Sequence, residues 1–413
     1  LKTASKSLSI LTLILAGEAI FLLPFILMRV FRPIIREAFQ VTDFEIGKAQ
    51  AVYGVTAMLS YVFGGYLADK WEARKLICIS LLLTALGGFF MLRLPSFTGL
   101  QLLYGFWGVS TILLFWSALI KATRLWGTAV NQGFSFGLLD GGRGAFAALI
   151  ATFGAVIPVL IFPEDTSEIT FETKVKTMQY IIGLVTLVVI LVAFLVWFVL
   201  PKDSNEKHEN SYQLQLNQVF KTLFKPKVFF HAIIIVCAYS TYKVTDVFAT
   251  YANDVWDYSL KDSSNFGVFI QWLRPISAIT LGWLADRFMT SKMVLYCFSC
   301  ILIGTFCLAF GVFIEADIAF SILVFVIMVV GIYAMRGLYF ALIEEAKTPL
   351  AITGTVVGII SLIGYTPDIF MSLITGFVLG ENPTIVEYEM LFKVVIMFPV
   401  IGILATIGFK FSK

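Results

Sequence analysis

The chain alternates long apolar runs with short polar breaks. A helix needs about 20 residues to cross the hydrocarbon core of a bilayer. Runs of that order fall at 8–30, 44–69, 75–94, 97–124, 130–161, 174–200, 227–251, 264–287, 292–314, 317–343, 350–380 and 389–411. Backbone polar groups must be satisfied inside lipid, and these runs lack the apolar–polar alternation of barrel strands, so the pattern predicts helices. The expected fold is an all-α membrane protein with twelve transmembrane helices in two pseudo-symmetric six-helix bundles. The longest polar break, 201–226, is bounded by prolines and lies between the sixth and seventh runs. It predicts an N-terminal bundle over 1–200, a cytoplasmic linker over 201–226 and a C-terminal bundle over 227–413. Within the linker, 213–224 has the pattern of an amphipathic surface helix.

The polar breaks carry a repeat. Gly64-Gly65-Tyr66-Leu67-Ala68-Asp69-Lys70-Trp71-Glu72-Ala73-Arg74-Lys75 returns as Gly282-Trp283-Leu284-Ala285-Asp286-Arg287-Phe288-Met289-Thr290-Ser291-Lys292. Aligning Asp69 with Asp286 (286 − 69 = 217) also matches Gly65 with Gly282, Leu67 with Leu284, Ala68 with Ala285 and Lys75 with Lys292. A spacing that long points to two large, similar halves, not to a solenoid. Each copy ends one apolar run and begins the next, so each is a short turn whose glycine lets helix backbones approach and whose charges sit at helix ends. Asp69, Arg74 and Asp286 are therefore candidate gating residues. Ala118-Leu119-Ile120-Lys121 likewise resembles Ala341-Leu342-Ile343-Glu344 with the charge reversed, which adds Lys121 and Glu344 to that set. Gly127-Thr128-Ala129-Val130 resembles Gly354-Thr355-Val356-Val357. Two parallel halves enclose a site near mid-bilayer that rocking exposes to alternate sides.

Composition agrees with a lipid environment. Only 14% of the 413 residues are charged and 59% are hydrophobic, where a soluble domain carries about 25% charge. A net charge of +3 gives no argument for nucleic acid. The five cysteines lie in apolar runs, and Cys297 and Cys300 form a lone C-x-x-C with no second pair, so structural thiols are expected and no metal or cofactor. With no Ser/His/Asp set and no phosphate-binding loop, the chain does not read as an enzyme. Flanks and loops on the side of the N-terminus hold 17 Lys and Arg against 8 on the other. Both termini are therefore expected to be cytoplasmic in a multi-pass protein of the cell inner membrane.

The doubled Gly-x-Leu-Ala-Asp-basic turn, the six-plus-six layout and the central linker resemble the major facilitator superfamily over the whole chain. The first copy departs from the usual turn in having Glu72 where a glycine is common. Within that superfamily, Leu260-Lys261-Asp262-Ser263-Ser264 leading to Gly282-Trp283, and Gly354-Thr355-Val356-Val357-Gly358 followed by Gly364-Tyr365, are most similar to organophosphate:phosphate antiporters such as the glycerol-3-phosphate and hexose-phosphate carriers. In those carriers an arginine on the first helix binds the substrate phosphate, and Arg29 matches it. Their second arginine, on helix seven, does not carry over. Thr241 stands at its place, with Lys243 two residues on and Tyr239, Tyr242 and Asp246 nearby. A two-residue step turns a helix by about 200°, so Lys243 would face elsewhere unless the helix is broken.

Charges inside spans are costly unless paired or watered, so each needs a reason. Arg29, Arg143, Lys243, Arg274 and Arg336 are the basic ones, and Glu18, Asp140, Asp246, Glu344 and Asp368 the acidic ones. Structural bridges between the two sets are one reading. The other makes Arg29, Lys243, Tyr239, Tyr242, Arg274 and Arg336 substrate contacts, since a guanidinium offers anions a planar fork of donors. Glu18, Asp140 and Asp368 are the proton-coupling candidates, because a carboxyl at membrane depth is the group that relays protons there. Asp140 and Arg143 stand three apart on one helix face, as a structural or a gating pair.

These residues imply a secondary active transporter for a small organic anion, organophosphate-like or carboxylate, working by alternating access as a monomer with a proton or counter-solute as coupling partner. The alternative is a proton-driven exporter of amphipathic or cationic compounds read by Glu18 or Asp140. A receptor built on a transporter scaffold would need an added domain or partner surface, and none is visible in the sequence.

Overall fold

In the computed structural model the described residues are 6–126, 132–163, 169–201, 226–311, 318–346 and 360–412. They are helical throughout, with short turns between. The helices are α1 (Lys6–Val30), α2 (Asp43–Lys70), α3 (Ala73–Met91), α4 (Phe97–Thr123), α5 (Gln132–Ile161) and α6 (Phe171–Val199) in the first half. The second half has α7 (Pro226–Val255), α8 (Leu260–Arg287), α9 (Thr290–Ala309), α10 (Ile318–Glu345), α11 (Ile360–Leu379) and α12 (Ile385–Phe411). Ten contain a stretch long and apolar enough to cross a membrane. The remaining two, α2 and α8, are 28 residues each and end on the two copies of the repeated turn. The twelve-helix fold expected from the apolar runs is what the chain adopts. Most of the linker (202–225) and both members of the Gly-Thr repeat (127–130 and 354–357) lie outside the described residues.

Packing repeats at a step of six helices. α1 packs on α4, α5 and α6, while α7 packs on α10, α11 and α12. The pairs α3–α4, α3–α6 and α5–α6 recur as α9–α10, α9–α12 and α11–α12. Small residues set the closest approaches. A Cβ at Gly108 of α4 would stand 2.5 Å from the Tyr53 carbonyl oxygen of α2, and one at Gly331 of α10 would stand 2.7 Å from the Cys297 carbonyl oxygen of α9. Without a hydrophobic drive between helices in lipid, such backbone proximity supplies the packing that holds them.

Three helices carry a π or 3₁₀ segment, and α11 is interrupted by a turn at 365–366 beside Asp368. Pro24 supplies no amide donor and its ring crowds the preceding turn, and α1 widens to a π-helix over Leu22–Ile26. The Tyr104 hydroxyl donates to the Pro24 carbonyl at 2.8 Å. α4 has a second π segment at Ile112–Trp116, and α7 tightens to a 3₁₀ turn at Val244–Val247 before resuming at Phe248. A short helix, Arg32–Phe39, follows α1. The chain forms two compact units. One contains 1–208, 246–272 and 380–382; the other contains 209–245, 273–379 and 383–413. The second half thus leaves its own unit within the 3₁₀ turn of α7 and rejoins it in the middle of α8.

Candidate functional site

In the first unit the charge at membrane depth is organised in two clusters. Arg29 sits one turn beyond the π segment of α1 and is 2% exposed. Its Nε and Nη2 donate to Oδ1 of Asp246 at 2.8 and 2.5 Å. Asp246 is also buried, and the 3₁₀ turn of α7 sets it beside the guanidinium. In the second cluster, Arg143 of α5 donates through Nε to Glu18 of α1 at 3.0 Å and through Nη1 to Asp140 at 3.1 Å. The arginine fork thereby joins one carboxylate across helices and another along its own. The Arg143 side chain lies across Gly17, where a Cβ would meet its Cδ at 3.0 Å, and its guanidinium is 5.6 Å from the Phe21 ring centroid. A larger residue at position 17 would displace it.

The second unit brings together five of the residues singled out from the sequence. Tyr239 and Lys243 lie four apart on α7 and so share a face. The Tyr239 hydroxyl donates to the Asp368 carboxylate at 3.0 Å, and Lys243 Nζ is 3.5 Å from the same group. Asp368 is presented by the first turn of the Pro367–Leu379 helix. The Arg336 guanidinium lies 4.1 Å from the Tyr242 ring centroid, a cation–π contact. Tyr365 packs edge-on to Tyr239 at 4.8 Å, and Tyr333 closes the cluster 6.2 Å from Tyr242. Two cations thus converge with one carboxylate inside a wall of tyrosines.

The other expected residues are dispersed. Arg274 is buried in α8 beside Pro275. At the first turn, Lys121 donates to the Ala68 carbonyl at 2.9 Å, satisfying an acceptor near the end of α2. Arg74 donates to the Trp197 carbonyl at 3.3 Å and stacks over the Trp197 ring at 4.7 Å. The side chains of Asp69, Asp286 and Glu344 lie outside the described residues. Beside Glu344, Glu345 accepts from the Ser291 backbone amide at 2.8 Å, satisfying a donor at the start of α9. Lys121 at a helix end and Glu345 at a helix start answer the opposite partial charges found there.

Sequence reasoning did not reach the network just beyond α1. Arg32 and Arg36 both bond Asp43, at 2.5 and 2.9 Å, and Arg36 also forks onto Asp254 at 2.5 and 3.0 Å. Arg32 and Arg36 fall past the first apolar run and read as loop charges, although Arg32 is 1% exposed. The i, i+4 spacing of Arg32 and Arg36, which puts both on one side of a helix, is the signal that was present. Among the described residues no group of three or more His, Cys, Asp or Glu is placed to hold a metal.

The family model described as Major Facilitator Superfamily matches residues 9–372. The chain is 28% identical over 341 residues to the inner membrane protein YqcE of Escherichia coli (strain K12), covering 80% of this chain and 78% of that one. It is 24% identical over 279 residues to the probable nitrate/nitrite antiporter NarK1 of Thermus thermophilus, covering 66% of this chain and 59% of that one. Among solved structures, the D-xylose-proton symporter superposes with a TM-score of 0.75 at 13% identity, covering 98% of this chain and 97% of that one; at that identity the likeness speaks for the fold. A multi-pass membrane protein with this helix order and a family match across most of its length, the chain belongs to the major facilitator superfamily and is a transporter, not an enzyme.

Proposed function

We propose that the protein is a secondary active transporter that moves a small organic anion across the inner membrane, coupled to a proton or to a counter-solute. The observation that carries this reading is the tyrosine-walled cluster of the second unit, in which Lys243 meets the Asp368 carboxylate and Arg336 lies over Tyr242. An ammonium and a guanidinium set among tyrosine hydroxyls are donors that suit an anionic group. In the first unit Arg29 is a candidate anchor in its own right, since its planar fork suits a carboxylate or a phosphate ester. Its bond to Asp246 holds it ready, because a substrate anion can replace one carboxylate with another. Protonation of Asp246 or Asp368 would weaken its hold on the neighbouring cation, which couples a proton to anion entry. The likeness to a probable nitrate/nitrite antiporter supports an anionic substrate. The bundles 1–200 and 227–413, joined by the linker 201–226, would move against one another to expose the site alternately.

The test is thermal unfolding of the purified protein against sugar phosphates, short carboxylates, neutral sugars and lipophilic cations. A ligand that binds the folded state raises its stability by mass action. Stabilisation by an anion, lost in both Arg29→Ala and Lys243→Gln, supports the reading. Stabilisation by cations alone, unaltered in either variant, contradicts it.

A further inference from the structure

The first unit contains a polar side chain that neither ion-pair cluster uses. Gln271 of α8 is fully buried, and neither its amide oxygen nor its amide nitrogen has a hydrogen-bond partner among the described residues. An amide buried with both ends unmet costs stability, so a transporter that keeps one has a use for it. Its position gives the use. One turn earlier on α8, Gly267 lies against the α1 backbone: a Cβ there would stand 3.0 Å from the Val30 Cα and 3.1 Å from the Val30 oxygen. Successive spans run in opposite directions, so α8 descends as α1 rises. Gln271, four residues past Gly267 on the same stripe, is therefore level with the π segment Leu22–Ile26, just below Arg29.

A second amide stands nearby on α2. The Tyr53 ring packs edge-on to Phe25 of α1 at 4.7 Å. Gln50, one turn before Tyr53 on α2, is thereby level with Arg29. It is 3% exposed, and its Nε2 has no partner among the described residues. Two buried amides therefore flank the stretch of α1 that carries the proposed anion anchor. Between them they offer two sets of donors and one acceptor, a combination that hydroxyl groups meet because each hydroxyl both donates and accepts.

We propose that Gln271 and Gln50 hold hydroxyl groups of the transported solute, whose acidic group is held at Arg29, so that the substrate class is a small polyhydroxylated acid. This rests on the anion reading above and adds the neutral part of the molecule. A site built to hydrogen-bond a hydroxyl discriminates strongly against the analogue lacking it, by about 10⁴-fold or more in favourable cases, because its own polar groups are then left unmet.

The experiment uses the full chain in detergent and three probes of matched carbon count: gluconate, sorbitol and hexanoate. Each is titrated against the wild type and Gln271→Met by thermal unfolding. The expected result is binding of gluconate, at least about tenfold weaker binding of hexanoate to the wild type, and a loss of at least about tenfold for gluconate in Gln271→Met. Equal binding of gluconate and sorbitol, both lost in Gln271→Met, supports the hydroxyl contact while removing the anion reading. Equal binding of gluconate and hexanoate to the wild type, or undiminished gluconate binding in Gln271→Met, overturns the hydroxyl contact and leaves the anion reading standing. Failure of both hydroxylated probes to bind the wild type overturns it as well. The gluconate–hexanoate comparison in the wild type decides the matter if the variant does not fold.

Discussion

Arg29 donates two hydrogen bonds to one oxygen of Asp246, and both side chains are buried. Removing one member of a buried ion pair typically costs ~3–5 kcal/mol, while replacing both by apolar groups is often neutral. Arg29→Met is therefore expected to lower the unfolding temperature markedly, and the double variant Arg29→Met, Asp246→Leu to regain most of the loss. Thermal unfolding of the three proteins checks this. Equal losses in the single and double variants would show that the pair does not stabilise as a unit.

Asp368 is the carboxylate that Tyr239 and Lys243 share. If it carries the coupling proton, Asp368→Asn is expected to abolish accumulation driven by a pH gradient while preserving exchange of labelled for unlabelled substrate. Measuring both modes in one preparation of liposomes separates a coupling role from a binding role. Retained gradient-driven accumulation would assign the proton elsewhere, with Glu18 next in order.

Gly108 approaches the backbone of α2, and Gly331 that of α9, closely enough that no Cβ fits without movement. Overpacking of this kind costs about 1–3 kcal/mol. Gly108→Ala and Gly331→Ala are each expected to destabilise the protein by that order, read as a lower unfolding temperature at unchanged ligand specificity. Gly141, whose Cβ would meet nothing within 4 Å, is the control, and Gly141→Ala is expected to be tolerated.

Lys121 bonds the Ala68 carbonyl at the end of α2. Lys121→Ala removes one hydrogen bond from a charged donor, worth about 1.5–3 kcal/mol. Because the contact is at a helix end, remote from Arg29 and Lys243 in the chain, the expected effect is on transport rate with ligand affinity preserved. Rate in liposomes and affinity by thermal shift, compared side by side, test it.

The helices were legible because lipid imposes length and apolarity, and each long run holds a helix among its described residues. The repeated turn was legible because its spacing recurs unchanged. What escaped the sequence depended on three-dimensional partners. Lys243 is a candidate from its charge alone, its angular offset from Thr241 leaves its face open, and the face is the one marked by Tyr239 four residues earlier, with the helix broken immediately after it. Asp140 and Arg143 were visible as a pair three apart, whereas the tie of Arg143 to Glu18 required α1 and α5 to meet. Glu345, one residue beyond the Glu344 that the repeat picks out, bonds the start of α9 at the second turn. Gln271 gave no signal, because a neutral amide does not stand out in an apolar run as a charge does.

Uptake into liposomes is the most direct measurement of the central claim. Purified protein is reconstituted, a pH gradient is imposed, and labelled gluconate, sorbitol and a lipophilic cation are followed in wild type, Arg29→Ala and Lys243→Gln. Gluconate is expected to accumulate, driven by the gradient, in the wild type alone, with neither of the other solutes accumulated. Accumulation of the cation in preference to gluconate, undiminished in both variants, would contradict the anion reading.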